Sequence, residues 1–192
     1  MDESKYKLIA AIKECMKETP VDKISVSEIC KKANVTRQTF YRNFLDKYDL
    51  INWYFDKILL ESFARMGSGK TIYEGLVKKF NYIKEEYLFF VAAFRSDDQN
   101  SLKEHDYQLI LDFYQKLITS KTNEPIDENI VFYLEAYCKS SVYMTVKWVL
   151  EGMKKSSEEL ASLLVDCMPL PLIKIFEQYN ILQEKEEGFI KV

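Results

Sequence analysis

The amino-acid sequence predicts an all-α protein of about nine helices, and three observations carry that expectation. Apolar residues recur at helical spacing through most of the chain; in 4–18, for instance, Leu8, Ile9, Ile12, Cys15 and Met16 fall on one face. Ser25 with Glu28 and Ser156 with Glu159 form S-x-x-E capping boxes, in which each side chain satisfies the other residue's backbone N–H. Five glycines and four prolines among 192 residues punctuate too sparsely for a many-stranded sheet, and no segment alternates as a strand would.

Pro20 ends the first helix. Ser25 caps a short second helix to Ala33 that buries Ile29 and Cys30, and residues 34–35 make a tight break. Thr36 caps a third helix to about Phe44. Asp46, with Asp49 three positions on, opens a long fourth over 47–66 that bears Leu50, Ile51, Tyr54, Ile58 and Leu59. Residues 64–71, ARMGSGKT, read as a linker, followed by helices over 72–86 and 87–94 and a polar loop over 96–101. A helix over 102–119 and a turn-rich connection, SKTNEPID, lead to the longest pattern, 128–152.

There Ile130, Leu134, Tyr137, Cys138, Ser141, Thr145, Trp148 and Val149 share one stripe. Val131, Tyr133, Ala136, Ser140, Tyr143 and Met144 make a second face poor in charge. A helix apolar on more than one side must be covered on more than one side. The Ser156 box opens a helix bearing Leu160, Leu163, Leu164 and Cys167; Pro169 and Pro171 then break or kink it, and a last piece carries Ile173, Phe176 and Tyr179. The tail 183–192 is charged and expected to fray.

Composition narrows the function classes. Hydrophobic content of 47% with 30% charged residues suits a soluble globular chain. No apolar run approaches the roughly 18 residues of a membrane span, and MDESKYK lacks the apolar stretch of a signal peptide. A cytoplasmic protein with no membrane attachment is expected. Cys15, Cys30, Cys138 and Cys167 show neither zinc spacing nor a disulfide framework, so no metal or cofactor is expected. The net charge is −3, yet residues 1–50 hold ten Lys/Arg against eight Asp/Glu. A small local patch can bind phosphates without a basic whole chain.

The first fifty residues hold the candidate site. Two short capped helices separated by a three-to-four-residue turn are what a helix-turn-helix requires. The first, about 26–33, braces; the second, about 37–44, NVTRQTFYRNF with its lead-in, would enter the major groove. Phe40 and Phe44, four apart, face the core and hold the helix down, so Arg37, Gln38 and Tyr41 point away, with Arg42 on a flank. Arg bonds guanine O6/N7 and Gln adenine N6/N7 in pairs. Thr39 reaches a phosphate or a thymine methyl, while Tyr41, Arg42 and Lys47 are placed for phosphates, as are the N–H groups opening the helix at Lys47.

Residues 8–55 resemble the DNA-binding domain of the TetR family of transcriptional regulators. The resemblance rests on Ile24 and the cap from Ser25 to Ile29, on Ala33, Asn34 and Val35, on Thr36, and on Thr39, Phe40 and Tyr41 with Phe44, Lys47, Asp49 and Leu50. Asn34 stands where that family usually has glycine, and asparagine tolerates the left-handed turn. Arg42 and Asn43 replace the more usual Arg/Tyr–His pair, leaving the base preference open. The resemblance implies that Ser25, Thr36, Arg37, Gln38, Thr39, Tyr41, Arg42 and Lys47 contact a double-stranded DNA operator. It divides the chain into a DNA-binding domain (1–52), a helical regulatory and dimerisation domain (53–182) and the tail (183–192).

It also implies a homodimer in which the helices at 128–152 and 157–168 pair with their copies, with Leu134, Cys138, Ser141, Thr145, Trp148, Leu160, Leu163, Leu164 and Cys167 as contacts. The many aromatic residues of 54–148 read first as core and second as a ligand pocket. FFVAAFRSDDQNSL, Trp148, and the stretches around Gly152–Lys154 and Ser157–Leu160 resemble a narrower subgroup, the activators of dihydroxyacetone kinase operons. That resemblance implies a dihydroxyacetone-kinase-like coactivator protein as an alternative to a small-molecule effector.

Other chemistries are poorly served. ARMGSGKT satisfies a permissive phosphate-loop pattern, but a helix precedes it where a strand is needed. His105, the single histidine, sits in charged KEHDY and reads as solvated; no Ser or Cys has a histidine partner, so an enzyme is not expected. A redox role for the cysteines would call for a depressed thiol pKa. The rival to a DNA-binding regulator is a helical protein-interaction dimer that has lost DNA binding.

Overall fold

Ten α-helices and one 3₁₀ turn carry the protein, with no strand among the described residues. The structure is a computed structural model and describes residues 2–64, 66, 70–98, 101–179 and 181–182. The helices are α1 (Asp2–Met16), α2 (Val26–Ala33), α3 (Arg37–Asn43), α4 (Lys47–Phe63), α5 (Ile72–Glu85), α6 (Tyr87–Phe94), α7 (Leu102–Thr122), α8 (Glu128–Leu150), α9 (Ser157–Asp166) and α10 (Leu170–Gln178). The 3₁₀ turn, Val21–Lys23, was not foreseen. The charged tail expected from Gln183 lies outside the described residues.

Local chemistry explains most boundaries. Capping boxes open α2, α5 and α9 at Ser25, Thr71 and Ser156, each with a glutamate three positions on. Asn34 (φ 53°) and Asn123 (φ 55°) end α2 and α7 in the left-handed region, which asparagine tolerates better than most side chains. Pro169 and Pro171 start α10 rather than kink α9, because a first-turn proline has no N–H to lose.

α1 packs on α2, α3 and α4 around Leu8, Ile12, Ile29, Phe40 and Leu50, all fully buried. Each such side chain contributes about 1.5–3 kcal/mol of burial free energy. α1 also touches α6, which joins this unit to the remaining helices. There α5 packs on α9 and α4, and α7 packs on α8. Gly75 of α5 passes so close to the end of α4 that a Cβ would overlap Met66 and crowd Phe63.

Half of the aromatic residues of 54–148 are buried in the core, and most of the others pack partly buried against it. Phe55, Phe80, Phe90 and Phe94 are fully buried, and rings meet in pairs such as Phe89–Phe90 (5.2 Å) and Phe80–Trp148 (5.5 Å). One polar pair sits inside this core: Lys79 of α5 and Asp106 of α7, Nζ to Oδ1 2.8 Å. His105 is paired rather than solvated. Its Nε2 lies 2.5 Å from Asp56 Oδ1, because the start of α7 lies against the middle of α4.

Most of the residues expected at a dimer contact lie inside the subunit. Leu134, Cys138, Ser141, Thr145, Trp148, Leu160 and Leu164 are buried within the subunit, and only Leu163 and Cys167 of the expected set are exposed. α8 turns that stripe inward against α7, α6 and α10. Its outer face instead presents Phe132 and Tyr143 (both 66% exposed), Met144 and Leu150. The second, charge-poor face was visible in the sequence; which face goes inside was not.

Of the phosphate-loop decoy, residues 65 and 67–69 lie outside the described residues. Helix α4 leads into the segment, and the Thr71 hydroxyl serves as the cap of α5. Burial raises the thiol pKa of Cys15, Cys30 and Cys138, the last to about 12, which is opposite to the shift a reactive thiolate needs.

Candidate nucleic-acid interface

The interface is assembled by caps and two phenylalanines. Ser25 accepts from the Glu28 N–H (3.2 Å), while its own N–H and hydroxyl both donate to Glu28 Oε2 (2.7 Å each). Those bonds hold the Glu28 carboxyl below the ordinary carboxylate range. α2 is thus fixed at its start, and Asn34 turns the chain sharply at its end, with the Val35 N–H donating back to the Cys30 carbonyl. Thr36 then caps α3 by accepting from the Thr39 N–H at 3.1 Å.

Phe40 (0% exposed) and Phe44 (3%) anchor α3, their rings 6.0 Å apart, with Phe44 edge-on to Trp53 of α4. The helix period then turns Arg37, Gln38, Tyr41 and Arg42 outward, and all four are exposed. Arg37 Nη2 lies 3.5 Å from the Tyr41 hydroxyl, one turn along the same face. The expected outward set is therefore brought together on one short helix. Thr39 is half-buried, its hydroxyl 3.0 Å from that of Thr36.

Three groups expected to contact DNA are already engaged within the subunit, Lys47 in part. The Ser25 donors serve Glu28. At α4, the Tyr48 and Asp49 N–H groups donate to Asp46 Oδ1 at 2.8 Å, so that helix start is occupied by its own carboxylate. Lys47 Nζ donates to the carbonyls of Asp22 (2.8 Å) and Ile24 (3.0 Å), which leaves one of its three N–H groups. Lys47 therefore ties α4 to the 3₁₀ turn, a role that sequence spacing could not indicate.

Two polar clusters, also unseen in the sequence, join this unit to α6. Asp22 Oδ1 accepts from the Tyr48 hydroxyl (2.9 Å) and the Ser96 hydroxyl (2.5 Å), just past the end of α6. Both bonds lower the Asp22 pKa, and burial with Asp22 beside it raises that of Tyr48 to about 12. Before α6, Glu86 Oε1 accepts from Lys13 Nζ (2.7 Å) and from the Tyr54 hydroxyl (2.9 Å). α6 is thus clamped at both ends to helices that carry the recognition helix.

A solvent-facing helix on a buried aromatic footing, behind a capped brace, is the geometry of a helix-turn-helix. The family profile "Bacterial regulatory proteins, tetR family" matches residues 8–53, and the profile "Transcriptional regulator C-terminal region" of the same family matches residues 70–169. The chain belongs to the TetR family. Members of that family are DNA-binding transcription regulators, not enzymes.

This TetR-family protein is 32% identical over 96 residues to the "HTH-type dhaKLM operon transcriptional activator DhaS" of Lactococcus lactis subsp. lactis (strain IL1403). The match covers 47% of this chain and 49% of the other, so it spans about half the length of that curated relative. Among solved structures, "Dihydroxyacetone kinase operon activator DhaS" superposes with a TM-score of 0.63 over 90% of this chain and 97% of the other, at 23% identity, a likeness of fold. No helix among the described residues is long and apolar enough to cross a membrane.

Proposed function

We propose that this TetR-family regulator binds a (pseudo)palindromic operator in double-stranded DNA as a homodimer. Residues 1–52 serve as the DNA-binding domain and 53–182 as the regulatory and dimerisation domain. Arg37 and Gln38 read base edges from the first turn of α3, Thr39 contributes a methyl or phosphate contact, and Tyr41 and Arg42 hold phosphates. Thr36 orders the approach to α3, Lys47 keeps one donor for a phosphate, and Ser25 acts through the brace helix. The observation that carries the proposal is the division of α3 into Arg37, Gln38, Tyr41 and Arg42 outside and Phe40 and Phe44 inside.

The dimer forms through the outer face of α8 with exposed Leu163 and Cys167 of α9 and its end; two recognition helices then meet two half-sites about one helical turn apart. A dihydroxyacetone kinase operon is the target and is activated, which the name of the Lactococcus relative supports. Control comes from a small ligand or a dihydroxyacetone-kinase-like coactivator protein, and the protein works where the DNA is, in the cytoplasm.

A mobility shift on its own upstream DNA tests this. A complex of two subunits per site that survives excess random duplex is expected, and no shift even at low salt overturns it. A thermal-shift comparison of small metabolites with a purified kinase-like protein separates the two effector classes, because a ligand preferring the native state raises the melting point.

A further inference from the structure

One of the two hydroxyls on Asp22 comes from outside the helix-turn-helix unit, and its bonding is directional. Ser96 lies just past α6 and is 3% exposed. Its N–H donates to the Ala93 carbonyl (3.3 Å), and its hydroxyl oxygen accepts from the Asp98 N–H (3.4 Å). A hydroxyl has one proton to give, and an ionised carboxylate can only accept. The Ser96 proton therefore goes to Asp22 Oδ1, 2.5 Å away, beside the bond from the Tyr48 hydroxyl.

Asp22 passes that restraint on. Its carbonyl accepts from Lys47 Nζ at 2.8 Å, and the Ile24 carbonyl accepts from the same ammonium at 3.0 Å. The Lys23 and Ile24 N–H groups donate back to the Pro20 and Val21 carbonyls (3.0 and 3.1 Å), and Val21 is buried. The Asp22 carboxylate and the two carbonyls thus belong to one closed turn, and moving the first moves the others. Lys47 opens α4, with only residues 44–46 between it and α3. The clamp at the start of α6 takes another route: Glu86 holds Lys13 of α1 and Tyr54, about two turns along α4 from Lys47.

We propose that Ser96 is a positioning residue for DNA binding. By holding the Asp22 carboxylate it fixes the 3₁₀ turn, and the Asp22 and Ile24 carbonyls then set where the remaining donor of Lys47 points. Ser96 is buried, so it acts on DNA only through this chain of bonds. The inference rests on the DNA-binding function proposed above, in which Lys47 meets a phosphate.

The test is a double-mutant cycle read as affinity for a random-sequence duplex over a range of salt, with the full chain throughout. Lys47→Ala should make the slope of log K against log salt shallower by about 0.9 per engaged subunit. Ser96→Ala should weaken wild-type binding at least about twofold, the lower end of coupling within one hydrogen-bond network, and should not weaken Lys47→Ala further. Asp22→Ala, which breaks the same link from the other side, should repeat that pattern. Glu86→Ala should change both backgrounds by the same factor, as an independent site does. Melting points check that each variant is folded at the assay temperature. Ser96→Ala and Asp22→Ala binding equal to wild type overturns the proposal, as does an equal loss from Ser96→Ala in both backgrounds. Non-additivity of the same size for Glu86→Ala also overturns it, because it marks a general loosening of the unit. If Lys47→Ala leaves the slope unaltered, the phosphate role of Lys47 fails and the proposal with it. If wild type itself does not bind the duplex at low salt, the DNA-binding function fails first, and that result is distinct from the others.

Discussion

Lys79 and Asp106 form an ion pair sealed between α5 and α7, with Nζ 2.8 and 3.0 Å from the two carboxylate oxygens and side chains 3% and 0% exposed. The Lys79 ammonium also lies 5.3 Å from the centroid of the Phe55 ring, so a third helix, α4, meets the charge. Removing one partner strands a buried charge. Asp106→Ala should cost about 3–5 kcal/mol, whereas the double replacement Lys79→Met with Asp106→Leu should recover most of that loss. Urea unfolding of the three proteins checks this. A single variant as stable as wild type would show that the pair carries little stability.

Gln38 and Lys47 act through different chemistry. Gln38→Ala removes an exposed amide from the first turn of α3 and should relax choice at one base pair, by about 1–3 kcal/mol, with random-duplex affinity unchanged. Lys47→Ala should weaken specific and random DNA alike and also lower the melting point, because the ammonium bonds the Asp22 and Ile24 carbonyls. Competition binding with operator variants, beside thermal unfolding, separates the two.

The Asp22 cluster makes stability depend on pH. Hydrogen bonds from Ser96 and Tyr48 lower the Asp22 pKa in the folded protein. The stabilisation is therefore present above the unfolded-state pKa of an aspartate and is lost as pH falls through the lower folded value. Wild type should lose more melting temperature than Asp22→Asn between pH 7 and pH 3. Parallel curves for the two would remove Asp22 from the account.

On α8, the two faces should fail differently. Tyr143→Glu with Leu150→Glu alters only exposed positions and should leave helicity intact while converting a dimer to a monomer in sedimentation. Leu134→Ala, fully buried inside the subunit, should cost about 2–5 kcal/mol of stability. An unaltered sedimentation coefficient for the first variant would place the dimer contact elsewhere.

The sequence by itself determined the short-range features: the caps at Ser25, Thr36, Asp46 and Ser156, the left-handed turn at Asn34, and the inward pair Phe40 and Phe44. Each depends on atoms within about four residues along the chain, so residue type and spacing suffice. Only the tertiary structure decided which face of α8 is interior, that Lys79 finds Asp106, that His105 finds Asp56, and that Lys47 is tied to the 3₁₀ turn. These pairings span 25 residues of chain for Lys47 and Asp22, 27 for Lys79 and Asp106 and 49 for His105 and Asp56. A helix poor in charge on two sides holds no local signal of which side its neighbours will cover; packing against α6, α7 and α10 decides it.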